Sequence, residues 1–227
     1  IDPLAQIFID HDFEIVPVLE TLLSSEHFFD TTFRGCIVKN PVEFFIGATQ
    51  QFDIVFPEEI SQTHLCWAHY YFNIGGLSMS IGDPPSVAGW PAFHQAPKFH
   101  QWWINSYTLG FRMKITESLY LEEGTNCNGP KIKFDYFRFA KALKGGESVN
   151  ELIEESLFLL LATRISTAEK DKLKRILLKE MNNESEWETN WKKVLKDPTD
   201  IKTKTDISNR LRLFFGSIMN MPEYQMI

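Results

Sequence analysis

Apolar residues recur along this chain at three- and four-residue intervals, separated by short polar stretches with helix-start or helix-stop chemistry. Leu4, Ile7 and Phe8 predict a short opening helix. Pro17 fits the first turn of a second, with Leu19, Leu22 and Leu23 on one face and a stop at Ser24-Ser25. Asn40-Pro41-Val42-Glu43 joins a capping asparagine, a proline at the first helical position and a glutamate at the third. Behind it Val42, Phe45, Ile46, Thr49 and Phe52 line one stripe. Pro57-Glu58-Glu59 opens another helix, carrying Ile60, Trp67, Ala68 and Tyr71 to about Asn73 before Gly75-Gly76 stops it. Residues 82–104 read as a long proline- and tryptophan-rich loop, after which Asn105 or Ser106 caps a helix reaching about Leu121.

The segment 122–130, EEGTNCNGP, holds turn formers and almost no apolar residues, which makes it the best internal boundary. Beyond it the periodic pattern resumes at Phe134 to Leu143, and four further helices follow Lys144-Gly145-Gly146. Ser148 with Glu151, and Ser166 with Glu169, have the spacing of capping boxes. The run Leu157 to Leu161 is apolar nearly all round, which predicts a central helix. Leu173, Ile176, Leu177 and Met181 mark the next helix, Trp187, Trp191, Val194 and Leu195 the third, and Ile207, Leu211, Phe215 and Ile218 the fourth. Ile132 to Phe134 is the one strand candidate. The pattern predicts an all-α, multi-helical domain over 1–227 with little or no strand. It would have two lobes, about 1–121, which contains the long loop, and about 131–227, with the loop packed between or beside them.

Charge and cysteine content narrow the function. A net charge of −7 argues against a nucleic-acid binder, because phosphate contacts need clustered lysine and arginine, and here the bases are interspersed with acids. The longest uninterrupted apolar run, Leu157 to Ala162, is too short to span a bilayer. Three cysteines, Cys36, Cys66 and Cys127, show no CxxC spacing, so neither a zinc site nor a disulfide framework is predicted. Cys36 and Cys66 stand in apolar contexts and read as small core residues. Nucleophile-elbow, P-loop and dinucleotide-binding patterns are all missing from the sequence, and no cofactor is implied.

The candidate chemistry concentrates in the loop and the helix after it. Asp83, His94 and His100 could serve as acid/base groups or metal ligands, but the histidine spacing matches no metal motif, and no metal site is predicted. Arg112 offers a planar fork for a carboxylate or phosphate. Trp90 and Trp103 could stack on a sugar ring, and Asn105 could face a ligand or cap its helix. Against this stands a structural reading. A Gly-Trp-Pro turn pins a long loop to a core, and Asp83 and Arg112 satisfy each other or the loop carbonyls. The residues favour that second reading. His64 and His69, five apart on a helix, point in different directions and read as structural.

Three stretches carry a resemblance to a known family. Asp83-Pro84-Pro85-Ser86-Val87-Ala88-Gly89-Trp90-Pro91 followed by Trp103-Ile104-Asn105-Ser106-Tyr107-Thr108-Leu109-Gly110-Phe111-Arg112 resembles the signature of a bacterial family catalogued as domain of unknown function 1800. Leu22 to Phe28 with Lys39 to Glu43 resembles the segment upstream of that signature, and Met221 to Gln225 resembles its C-terminal end. The resemblance implies a chain that is the C-terminal part of a protein about twice as long, secreted or periplasmic. In this family's version of the loop, aromatic residues are acceptable at the positions of His94 and His100, which argues against catalysis. It also implies a partner, an exported protein of the sulfatase/phosphatase type encoded nearby. The expected function is a non-catalytic module presenting the loop to a protein or glycan. The alternative is a hydrolase of a cell-surface polymer using Asp83, His94 or His100, and Arg112.

Overall fold

The computed structural model describes residues 2–90 and 99–227, without the side chains of Phe99 and His100. The chain is all-α, with ten α-helices and one small hairpin among the described residues. It divides into two compact units, Ile1–Cys36 and Ile37–Ile227. In the first unit α1 (Asp2–Asp10) and α2 (Ile15–Leu23) pack on each other. Asp12 and Phe13, in the turn between them, both take positive φ (51° and 64°), and the Phe13 ring meets Phe8 edge-on at 5.4 Å. A 3₁₀ turn, Thr31–Phe33, is capped by Asp30, which accepts from the Thr32 N–H at 2.8 Å. None of the described residues of this unit is buried. Cys36 is therefore not the core residue its apolar context suggested: it lies exposed after the 3₁₀ turn, with Sγ 3.2 Å from the Thr32 carbonyl.

The second unit begins with α3 (Pro41–Gln51) and α4 (Ile60–Gly76), and continues after the loop with α5 (Ser106–Tyr120). A two-stranded antiparallel hairpin, β1 (Thr125–Asn126) and β2 (Lys131–Ile132), occupies the turn-rich segment. It is tied back to α5 where the Thr125 hydroxyl donates to the Ser118 carbonyl at 2.9 Å. Then come α6 (Tyr136–Ala142), α7 (Val149–Leu160), α8 (Thr167–Leu177), α9 (Glu184–Lys196) and α10 (Ile201–Met219). A 3₁₀ turn, Pro222–Gln225, follows.

The helix α10 is the one that the others gather on: α5, α6, α8 and α9 all pack against it. Its Ile207, Leu211, Phe214, Phe215 and Ile218 are fully buried. Phe215 joins an aromatic cluster in which Phe52 meets Phe134 at 5.0 Å and Phe139 at 4.8 Å, and Tyr136 stacks on Phe215 at 5.9 Å. Trp187 and Trp191 stack at 5.8 Å beside Gly146, where a Cβ would fall 2.5 Å from the Trp191 ring. The Trp187 indole N–H donates to the Gly146 carbonyl at 3.2 Å.

Local start signals produce their helices as the sequence predicts. Asn40 with Glu43, and Ser166 with Glu169, form reciprocal capping boxes. Ser148 accepts from the Glu151 N–H, but Glu151 returns no bond; instead Glu155 holds the Gly145 N–H at 2.9 Å. Two expected faces are rotated. On α4 the buried residues are Cys66, Tyr70 and Ile74, while Ile60, Trp67 and Tyr71 are exposed. Tyr70 fixes that choice: its hydroxyl accepts from Thr49 at 3.0 Å and its ring packs on Phe45 at 5.2 Å. On α7 the run 157–161 is not central, because Phe158 is 80% exposed and Leu159 51%.

Candidate functional site

The signature helix α5 reverses the usual polarity. Its buried side holds Thr108, Arg112 and Thr116 beside Ile115 and Leu119, while Tyr107, Leu109 and Met113 face solvent. The cap explains its start. The Asn105 side chain accepts from the N–H groups of Tyr107 and Thr108, both at 2.9 Å, and the Thr108 hydroxyl accepts from the Asn105 N–H at 2.9 Å. Asn105 is thus committed to the backbone. Two turns further on, the same face delivers Arg112 into the core, where it is fully buried.

Arg112 links segments far apart in the chain. Its Nη2 donates to the Lys39 carbonyl at 2.6 Å and its Nη1 to Gln225 Oε1 at 3.2 Å. The guanidinium lies 4.9 Å over the Phe44 ring. Lys39, also buried, donates from Nζ to the Tyr224 carbonyl at 2.7 Å and sits 4.1 Å over the Tyr224 ring. Around these side chains the backbones pair. The Lys39 N–H donates to the Gln225 carbonyl at 2.8 Å, Val38 bridges Met226, and Ile37 and Ile227 exchange two hydrogen bonds. The Tyr224 hydroxyl donates to Gln51 Oε1 at 3.0 Å. Three of the signature stretches, Lys39–Glu43, Trp103–Arg112 and Met221–Gln225, therefore meet in one clasp.

Electrostatically the clasp is unusual, because two buried cations share it and neither has a carboxylate partner among the described residues. Glu43 acts on both, but its carboxylate is held by the Asn40 N–H at 2.8 Å. Burial, and then repulsion from Arg112, lowers the Lys39 amine to about 8. Burial lowers Arg112 to about 10 against the pull of Glu43. Arg112 Nε is buried without a hydrogen-bond partner among the described residues. Cation–aromatic contacts and carbonyl dipoles hold these charges in place of an ion pair.

Of the polar residues singled out in the sequence, the described ones, Asp83, Asn105 and Arg112, are not brought together. Asp83 is exposed and its carboxylate makes no ion pair among the described residues, so the expected Asp83–Arg112 pairing is not formed. The reason is topological: Arg112 is taken by Lys39 and Gln225. Within the loop, Ser86 and Gly89 close a turn through the Gly89 N–H at 2.9 Å, with Gly89 at φ 88°. Trp90 is half-buried and Trp103 fully buried, within a 3₁₀ helix Phe99–Trp103 that replaces the end of the predicted loop. His94 lies outside the described residues, as does the side chain of His100. Among the described residues no group of three or more His, Cys, Asp or Glu is placed to hold a metal ion. Sequence reasoning singled out Arg112 but not Lys39, Tyr224 or Gln225, whose only signal was membership of the two flanking stretches.

No curated protein and no solved structure matches this chain. The profile of one family, described as protein of unknown function (DUF1800), matches residues 1–226. That span takes in Lys39–Glu43, the α5 signature and the Pro222–Gln225 turn, which meet at Arg112, and the chain belongs to the DUF1800 family.

Proposed function

We propose that this chain is a non-catalytic interaction module of an exported bacterial protein. The observation that carries the reading is the use made of the signature's polar groups. Asn105 caps α5, Arg112 crosslinks Lys39 to Gln225, and Arg112 cannot meet a ligand without opening the core. A hydrolase needs such groups within reach of a shared reacting atom in a concave site. Both α4 and α5 expose large apolar side chains. Trp67, Tyr71 and Phe72 on α4, and Tyr107 and Met113 on α5, are exposed, and Phe72 is 71% exposed. Residues of this kind supply contact area to a protein partner. The partner proposed is the exported protein of the sulfatase/phosphatase type that the family resemblance brings with it.

Biolayer interferometry of the immobilised chain against that purified protein tests the reading. Saturable binding is expected, weakened about tenfold by Trp67→Glu or Tyr71→Glu and unchanged by Asp83→Asn. Two results overturn it: absence of binding, or turnover of an envelope polysaccharide that Asp83→Asn abolishes. Binding to a polysaccharide alone replaces the protein partner by a glycan.

A further inference from the structure

Behind its buried face, α10 carries a polar one that lines a groove of about 580 Å³. Lys204, Ser208 and Arg212 recur there at four-residue intervals, so they lie one above another on the helix, with Thr205 and Asn209 beside them. Lys133, on the connection from β2 to α6, lines the same groove, and the exposed Leu121 and Ile201 provide apolar surface.

The cations of this groove are unpaired among the described residues. Lys131, Lys193 and Arg210 each hold a carboxylate, at 2.9, 2.6 and 2.8 Å. Lys133, Lys204 and Arg212 hold none. Of the two carboxylates that line the groove, Asp135 is occupied as the cap of α6, accepting from the Arg138 N–H at 2.8 Å. Glu122 remains, so the groove's side chains keep an excess of positive charge in a chain of net charge −7. Arg212 is anchored by one nitrogen only, Nη1 donating to the Tyr120 carbonyl at 3.2 Å. Its Nε is buried with no hydrogen-bond partner among the described residues. A buried guanidinium donor without an acceptor is a deficit that an incoming oxyanion removes.

We propose that this groove binds a small organic oxyanion, a carboxylate or phosphate monoester carried on an apolar body. Arg212 and the two lysines would take the charge, the Thr205 and Ser208 hydroxyls and the Asn209 amide would donate to it, and Leu121 and Ile201 would receive the body. The volume lies in the range of small-molecule sites. The proposal concerns α10 and the hairpin, and does not depend on the module reading above.

Isothermal titration of the whole chain at low salt, with phenyl phosphate, phenylacetate, inorganic phosphate and phenol as separate probes, tests it. Phenyl phosphate or phenylacetate is expected to bind saturably at one site, about tenfold tighter than either phosphate or phenol. Arg212→Gln and Lys204→Gln should each weaken that binding about tenfold. The tighter of the two probes identifies the headgroup. Lys204 is exposed, so its variant keeps the fold even if losing the Arg212–Tyr120 contact loosens the other. The proposal fails if neither probe binds saturably, if phenol binds as tightly as phenyl phosphate, or if both variants bind like the parent.

Discussion

Replacing Lys39 by methionine removes a charge that the clasp keeps out of water and leaves an unbranched side chain one atom shorter. In the folded chain burial, reinforced by Arg112, lowers the Lys39 amine from 10.5 to about 8. A displacement of that size corresponds to about 3 kcal/mol against the protonated form. Below pH 8 the amine is protonated in folded and unfolded chains alike, and the penalty is present in full. Between about pH 8 and the unfolded value of 10.5 the folded chain releases the proton and the unfolded chain keeps it. The unfolded state then binds more protons, so stability rises with pH across that window. From about pH 7.5 to about pH 9 the gain amounts to about 1 kcal/mol. Cys127 works the other way, since burial pushes its thiol up to about 12 and stability is lost as the unfolded thiol ionises near pH 9. That loss is common to both proteins and cancels in their difference. Urea unfolding followed by tryptophan fluorescence, for the parent and Lys39→Met at both pH values, isolates the lysine. Methionine leaves the Tyr224 carbonyl without its donor, a pH-independent loss of about 1–3 kcal/mol. The parent should gain on the variant by about 1 kcal/mol at the higher pH. A difference that stays constant would show that Lys39 is not held as a desolvated cation.

Trp103→Ala should lower the stability of residues 37–227 by about 3–5 kcal/mol, because the indole is fully buried. Trp90→Ala, at a half-buried position, should cost well under half as much, and urea unfolding of the pair ranks them. Gly216→Ala should destabilise by about 1–3 kcal/mol, since the new Cβ would lie 2.8 Å from the Tyr120 ring. The sign is the test, because helix propensity alone would favour alanine by about 1 kcal/mol; a raised melting temperature would mean that the ring moves aside freely.

Helix starts were legible because capping is decided within four residues: Asn40, Asn105 and Ser166 each bond the N–H three positions on. Faces were less legible where a helix is apolar on more than one side. On α4 the stripe through Trp67 and Tyr71 competes with the one through Cys66 and Tyr70, and only the partners Thr49 and Phe45 decide between them. The fate of Arg112 was out of reach for a different reason. Its acceptors stand 73 and 113 residues away, so no local pattern could prefer them to Asp83. The groove on α10 left its donors visible at four-residue spacing, but which carboxylates were already engaged depends on contacts between elements.

The pairing of Ile37–Lys39 with Gln225–Ile227 also bears on how the chain comes to be folded. The Lys39–Tyr224 bond spans 185 positions, so on a ribosome the first partner must wait for nearly the whole unit to be made. Until then Arg112 has neither Lys39 nor Gln225 settled around it, and the helices from α3 to α10 can assemble only around an open seam. Closing that seam is the last and most distant contact to form, the kind that slows folding through loop-closure entropy. Segments 37–39 and 225–227 should accordingly gain hydrogen-exchange protection after α10, and a nascent chain released before Tyr224 emerges should be the form that proteases and chaperones engage.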